Sequence, residues 1–167
     1  LIRSKECRKS VISYGVNIDD VAYYAENISL SAKGACFTVR NSKGESQEFR
    51  TRLIGRHNVE NITGAIAVAC EFGIPMEELV YPVKTLESVP HRLELIRGNN
   101  ATIIDDAYNS NPIGAKMALD TLACFDGAKI VITPGMVELG AEQDKLNKEF
   151  GKQMAKVADY IVLVGKE

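Results

Sequence analysis

The sequence predicts a mixed α/β protein in two successive parts, and three observations carry that prediction. Residues 10–17 and 28–55 alternate apolar and polar positions at the two-residue period of a strand. Residues 55–75 switch to the helical period. From residue 93 onward, short apolar runs are separated by amphipathic stretches long enough for helices, the pattern of βαβ units around a parallel sheet with right-handed crossovers. The change of pattern falls at "ESVPHR", which divides the chain into residues 1–88 and 89–167.

The stretches "SVISYGVN" (10–17) and "ISLSAKGACFTVRNSKGESQEFRTRLIG" (28–55) read as strands. Within the second, Ala35, Phe37 and Val39 share a face, "NSKGE" is a turn, and Phe49, Thr51 and Leu53 follow, so a hairpin is expected. In "GRHNVENITGAIAVACEFGIP", Val59, Ile62, Ala65, Ile66, Ala69 and Cys70 recur at helical spacing, and Gly73 supplies the stop. A second helix, "PMEELVYPVKTL", opens on a proline. Beyond the boundary, "LELIRG" and "ATIIDDA" are strands joined by the turn "GNN". "NPIGAKMALDTLACF" is a helix with Met117, Leu119 (or Ala118), Leu122 and Phe125 inward. "AKIVITPG", "AEQDKLNKEFGKQMAKVA" and "DYIVLVGKE" complete a strand, helix, strand succession. The strands near 102–106, 129–133 and 160–164 are expected in one parallel sheet. A parallel sheet is normally covered on both faces, and no helix follows the last strand, so the second part is either small or lacks its last third.

Composition excludes several function classes. With 46% hydrophobic and 25% charged residues the chain has enough apolar material for a core. A net charge of −2 without a long basic run gives nucleic acid no electrostatic footprint. Cysteines 7, 36, 70 and 124 form no C-x-x-C pair, which argues against a zinc or redox motif and for free thiols in a reducing cytoplasm. No apolar run approaches membrane-spanning length and no signal-peptide pattern is present. The chain begins at Leu1 rather than methionine, which hints at a piece of something longer.

Polar groups concentrate in three places. "GRHNVENITGA" sets His57, Asn58 and Asn61 on the first turns of a helix, where backbone N–H groups and the dipole favour an anion or polar ring. An asparagine amide offers the donor and acceptor that an adenine edge requires. Equally, Asn58 is a natural helix cap and His57 a packing residue. In "VPHRLEL", Arg92 at the boundary suits a two-pronged phosphate contact, or an ion pair to Glu94. His91 beside it reads as packing. "IIDDAYNSNP" (103–112) lies at a strand's carboxyl end, where ligands of α/β sheets collect. Asp105 and Asp106 cannot face the same way on a strand, so one should face the site, where a carboxylate can hold a ribose diol. One of Asn109, Ser110 or Asn111 should cap the helix that opens at Pro112. "TPGMVELG" (133–140) is a glycine-bearing loop that matches no phosphate-binding fingerprint, and no G-x-x-x-x-G-K-[ST] occurs in the chain.

Taken in order, "GRHNVENITGAIAVA", "PHRLEL", "IIDDAYNSNPIGAKMALDTL" and "GMVELGAE" resemble the Mur ligases of bacterial peptidoglycan synthesis. The third and fourth motifs are most similar to the branch that adds D-alanyl-D-alanine to UDP-N-acetylmuramoyl tripeptide; single-amino-acid-adding relatives and folylpolyglutamate synthase differ in the third. The resemblance implies that residues 1–88 are the later portion of a central ATPase domain and residues 89–167 the first part of a Rossmann-like domain. It implies an ATP-dependent ligase acting through an acyl phosphate, a cytoplasmic monomer, with the phosphate loop and the magnesium ligands outside this chain. By motif position, Asn61 resembles the asparagine that contacts adenine, with His57 and Asn58 leading into that helix. Arg92 resembles a hinge arginine reaching ribose and phosphate, and Asp106 the ribose-binding aspartate, with Tyr108, Asn109 and Asn111 along the same nucleotide edge. Two departures, Pro134-Gly135 where the family commonly has Gly-Asp and Asn147 where a histidine is frequent, put a dipeptide-binding role of that loop in doubt. Without the phosphate loop, the fold also suits a non-catalytic nucleotide-binding module.

Overall fold

Alternation in the first part of the chain produces a four-stranded sheet. The computed structural model describes residues 11–18, 20–108 and 110–165. In it β1 (Tyr14–Val16), β2 (Tyr23–Ser31), β3 (Gly34–Asn41) and β4 (Ser46–Thr51) pair in that order, β1 parallel to β2 and the others antiparallel. The expected turn "NSKGE" closes β3 onto β4. The Asn41 Oδ1 accepts the backbone N–H of Lys43 and Glu45 at 3.1 and 3.0 Å, and its Nδ2 donates to Glu45. β2 begins at Tyr23, five residues before the stretch where alternation is legible. The register shifts between Glu26 and Ser29, with Asn27 at φ 53°, the mark of a β-bulge. The inward residues are Tyr23 and Ala25 before the bulge and Ile28 and Leu30 after it, so the inserted residue flips the parity of the pattern.

Helix α1 (Arg56–Glu71) covers this sheet with Val59, Ile62, Thr63, Ile66 and Ala67. Ala65, expected inward, is exposed, and Thr63 is fully buried instead. Its hydroxyl donates to the Val59 carbonyl at 2.7 Å, which satisfies the polar group inside the core. Opposite lie Phe37 and Phe49, stacked across β3 and β4 with ring centroids 5.9 Å apart. Buried Tyr23 donates its hydroxyl to Glu71 at 3.0 Å, tying β2 to the last turn of α1. Burial first, and the Glu71 contact second, push the Tyr23 phenol up to about 12. The second helix differs from the expectation: a 3-10 turn at Met76–Leu79 precedes a short α2 (Val80–Thr85). Pro82 has no N–H to donate and is tolerated in a helix's first turn, which is where a restart at Val80 places it. Met76 and Val83 seal the core at this end.

The chain separates into two compact units, Leu1–Leu86 and Glu87–Glu167. In the second, β5 (Glu94–Arg97) pairs antiparallel with β6 (Thr102–Asp105). Then come α3 (Pro112–Leu122), β7 (Ile130–Thr133), a 3-10 turn at Gly140–Glu142, α4 (Gln143–Val157) and β8 (Tyr160–Leu163), parallel to β7. The parallel crossover from β7 through α4 to β8 is as expected, but the single sheet over 102–106, 129–133 and 160–164 is not. Among the described residues β6 pairs with its hairpin neighbour β5, and the parallel pair is β7 with β8. A local turn gives β6 a partner without any crossover. Ile103, Ile130, Ile132 and Leu163 on these strands are exposed.

Ala115 and Leu119 of α3, Phe150 and Met154 of α4, and Met136 of the intervening loop form the core of this unit. Of the residues expected inward on α3, Leu119 is buried while Met117, Leu122 and Phe125 are half-buried. Met136 is held by Asn147 of α4, whose Oδ1 accepts the Met136 N–H at 2.7 Å and whose Nδ2 donates to the Met136 carbonyl at 2.8 Å. Gly135 sits at φ 84°, and a Cβ there would lie 2.9 Å from the Asn147 Oδ1. The two departures from the family pattern therefore fit each other: the asparagine grips the loop's backbone, and the glycine admits it. Asn147→Ala strips a half-buried peptide of both partners and should cost about 1–3 kcal/mol, and Gly135→Ala about 1–2 kcal/mol from its left-handed backbone alone. Urea unfolding should show a lower midpoint for each variant.

Candidate functional site

The predicted polar residues fall on both units. On the first, the Gly55 N-cap (φ 86°) brings no side chain to the open N–H groups of α1. Asn58 does not cap the helix; its Nδ2 donates back to the Ile54 carbonyl at 2.8 Å, fastening the turn that leads into α1. His57 and Asn58 are half-buried, while Asn61, nearly one turn further on, is exposed. This leaves a helix N-terminus with no acidic residue in its first turn and an exposed amide beside it, an arrangement that suits a polar ring or an anion.

On the second unit the sequence brings two segments together, residues 91–93 and 105–108. The backbone enters β5 through a left-handed turn, with His91 at φ 61° and Leu93 at φ 47°. Few non-glycine residues adopt such angles, and here neighbours hold them. Leu93 is buried, and its N–H donates to the Asp106 Oδ1 at 3.1 Å. The His91 Nδ1 lies 2.8 Å from the Asp105 Oδ2, the His91 N–H donates to Glu94 at 3.1 Å, and the His91 carbonyl accepts the Tyr108 N–H. Between these anchors the guanidinium of Arg92 lies over the Tyr108 ring, 4.3 Å from its centroid, in a cation–π contact. Arg92, Asp106 and Tyr108, read from separate motifs, thus share one cluster. Asn111 is the helix cap, its Oδ1 accepting the Gly114 N–H at 2.9 Å with Pro112 at the first helical position. Asn109 lies outside the described residues, as does Cys7.

His91, which reads as packing in the sequence, and Asp105, to which the resemblance gives no role, are central to this cluster. The parity rule that sends two adjacent strand residues to opposite faces does not apply, because β6 ends at Asp105 and Asp106 lies beyond it. Both carboxylates turn back onto residues 91–93. The Asp105 hydrogen bond and charge raise the His91 pKa above 6.5, and the His91 contact, with the Ala107 N–H, lowers that of Asp105 below 3.8. His91, Glu94 and Asp105 bring one ligand atom each within 4.8 Å of one another. The hydrogen bonds among them account for that closeness, and magnesium, which prefers all-oxygen octahedral surroundings, does not fit an imidazole-bearing group. Cys36 and Cys70 are half-buried and Cys124 exposed, all free thiols. No helix among the described residues is long and apolar enough to cross a membrane.

A sheet covered by a helix whose open N-terminus carries one exposed amide, Asn61, and an α/β unit with an arginine–aspartate–tyrosine cluster at a strand's end, are two units of the kind found in Mur ligases. Residues 2–69 match the Mur ligase middle domain and residues 91–167 the Mur ligase glutamate ligase domain, so the chain belongs to the Mur ligase family. It is 32% identical over 148 residues to the UDP-N-acetylmuramoyl-tripeptide–D-alanyl-D-alanine ligase of Bacillus subtilis (strain 168), covering 87% of this chain and 31% of the relative. With the Escherichia coli (strain K12) ligase of the same name it shares 30% identity over 162 residues, 95% of this chain and 35% of the relative. A crystal structure of MurF from Acinetobacter baumannii superposes with a TM-score of 0.83 at 29% identity, covering 93% of this chain and 34% of that one. MurF ligase from Thermotoga maritima, solved in complex with ADP, has the same fold (TM-score 0.78, 17% identity, 89% of this chain and 34% of that one). The chain spans about a third of the length of the curated relatives it matches.

The pair's contribution to stability has a defined pH window. A raised His91 pKa makes its share complete below 6.5 and lost as pH rises through the folded value; a lowered Asp105 pKa makes its share complete above 3.8 and lost as pH falls through the folded value. The pair is therefore at full strength between about pH 4 and 6.5. Imidazole NMR titration should place His91 above 6.5, and Asp105→Asn should bring it down; an unmoved midpoint in the variant would exclude the pairing.

Proposed function

We propose that this chain is part of an ATP-dependent amide ligase of peptidoglycan synthesis that adds D-alanyl-D-alanine to a UDP-N-acetylmuramoyl tripeptide in the cytoplasm, as a monomer. The observation that carries the reading is the cluster in which Arg92 stacks on Tyr108 beside Asp106. The B. subtilis and E. coli relatives are named for this reaction, and the T. maritima enzyme of this fold holds ADP. In such a ligase ATP activates the tripeptide's terminal carboxylate as an acyl phosphate, and the dipeptide's amine displaces the phosphate to form the amide.

Within that reaction the chain's own residues have distinct tasks. Asn61 presents its amide to the adenine edge, with His57 and Asn58 shaping the turn in front of it. Asp106 takes the ribose diol, and Tyr108 and Asn111 line the same edge of the nucleotide. Arg92 supplies a fixed positive charge to the phosphates, where charge builds as the phosphoryl group transfers; its stacking on Tyr108 limits the rotamer freedom lost in making that contact. Magnesium would be held by groups outside this chain.

Arg92→Ala in the intact ligase should remove a charge-assisted contact worth roughly 1.5–3 kcal/mol, a fall of about ten- to more than a hundredfold in turnover. Folding should hardly change, since the side chain is exposed. Phosphate-release kinetics measure this, and unaltered turnover and ATP affinity would refute the assignment. The 167-residue chain alone should bind ATP more weakly than about 1 mM, because a few hydrogen bonds of about 1 kcal/mol each barely offset an association cost of roughly 4 kcal/mol or more. Calorimetric titration showing micromolar saturation would locate the phosphate grip within these residues.

A further inference from the structure

We propose that His91 and Asp105 are positioning residues for Arg92: their 2.8 Å side-chain contact holds the left-handed turn at residues 91–93 in the backbone geometry that lays the guanidinium over Tyr108. The inference rests on the assignment of Arg92 to the nucleotide's phosphates.

The backbone creates the need. Two of three consecutive residues occupy a left-handed region that few non-glycine residues visit; histidine enters it more readily than most, but the bulky leucine at 93 does not. A segment released from its contacts would relax toward extended angles and swing Arg92 off the ring. Leu93 is held from beneath by burial and by Asp106, and the peptide groups of His91 by Glu94 and Tyr108. The His91–Asp105 contact adds a polar tie made by a side chain of the turn itself, at the residue preceding Arg92. A packing role does not explain His91, because 59% of its side chain is exposed while that of Asp105 is only 20% exposed. The charged groups facing the imidazole are Asp105 at the end of β6 and Glu94 at the start of β5, both acidic, so the protonated ring is favoured and the tie weakens as the ring loses its proton.

Three substitutions separate the backbone's needs from the side chain's. Glycine at 91 accepts the left-handed angle but offers no donor. Asparagine accepts the angle and places an N–H donor near the position of Nδ1, without titrating. Asp105→Asn keeps an acceptor and removes the charge.

The test is steady-state phosphate release by the intact ligase with ATP, UDP-N-acetylmuramoyl tripeptide and D-alanyl-D-alanine. His91→Gly should lower kcat roughly tenfold through misplacement of Arg92, with the KM for the UDP substrate unchanged. His91→Asn should stay within roughly threefold of the unmodified enzyme, since one hydrogen bond replaces another, and should lose the alkaline fall in kcat that titration of the ring imposes. Asp105→Asn should reduce kcat and move that alkaline limb to lower pH. In an Arg92→Ala background, His91→Gly should cause no further loss. His91→Gly matching the unmodified enzyme, or causing the same loss with and without Arg92, would overturn the positioning role while leaving Arg92's own role intact. Arg92→Ala with undiminished turnover would instead remove the reading on which this inference rests, and the inference with it.

Discussion

The second unit's candidate site depends on one interaction, the return of two adjacent carboxylates at the end of β6 onto the turn that enters β5. Asp105 takes the His91 imidazole and Asp106 the Leu93 N–H, at 2.8 and 3.1 Å. Residues 91 and 93 are left-handed and not glycine, and their geometry persists because partners on a second segment hold it. Arg92 lies between those fixed points. Its stack on Tyr108 follows from the turn, since the same segment that carries Tyr108 gives its N–H to the His91 carbonyl. Strain in the backbone, a charge pair and a cation–π contact are thus one assembly, and functional groups are often found where such strain is held.

The first unit solves a different problem, the placement of a helix N-terminus over a sheet. Its core is apolar side chains of β2, β3 and β4 under one face of α1, and the hydroxyl of Thr63 enters that core by satisfying itself against the Val59 carbonyl. Tyr23 and Glu71 tie the far end of the helix to β2, and Asn58 ties its near end to Ile54. With both ends fastened, the exposed Asn61 is presented from a rigid element, the condition under which an amide can discriminate a ligand edge.

The loop between β7 and α4 shows how departures from a family pattern can be read. Gly135 and Asn147, taken separately, weaken the expectation of a ligand-binding loop. Together they form a clasp in which an asparagine replaces water on both polar groups of the Met136 peptide and a glycine leaves room for it. The Met136 side chain is thereby set into the core beside Leu119, Phe150 and Met154. These two residues are explained by packing.

By itself the sequence determined the fold class, the hairpin at "NSKGE", the stop after α1, the cap at the start of α3 and the succession from β7 through α4 to β8, because each is a local matter of period, turn chemistry or capping. The motifs also named Arg92, Asp106 and Tyr108 as members of one set. It did not disclose that Tyr23 begins β2, since the bulge at Asn27 inverts the alternation, nor that Thr63 rather than Ala65 faces the core, since a back-bonded hydroxyl buries like an apolar group. Nor did it show that, among the described residues, β6 pairs only with β5, or that His91 and Asp105 are partners. The last of these joins residues fourteen apart on different segments, and it is decided by which carboxylate finds which donor once the chain has turned, a choice that no window along the sequence contains.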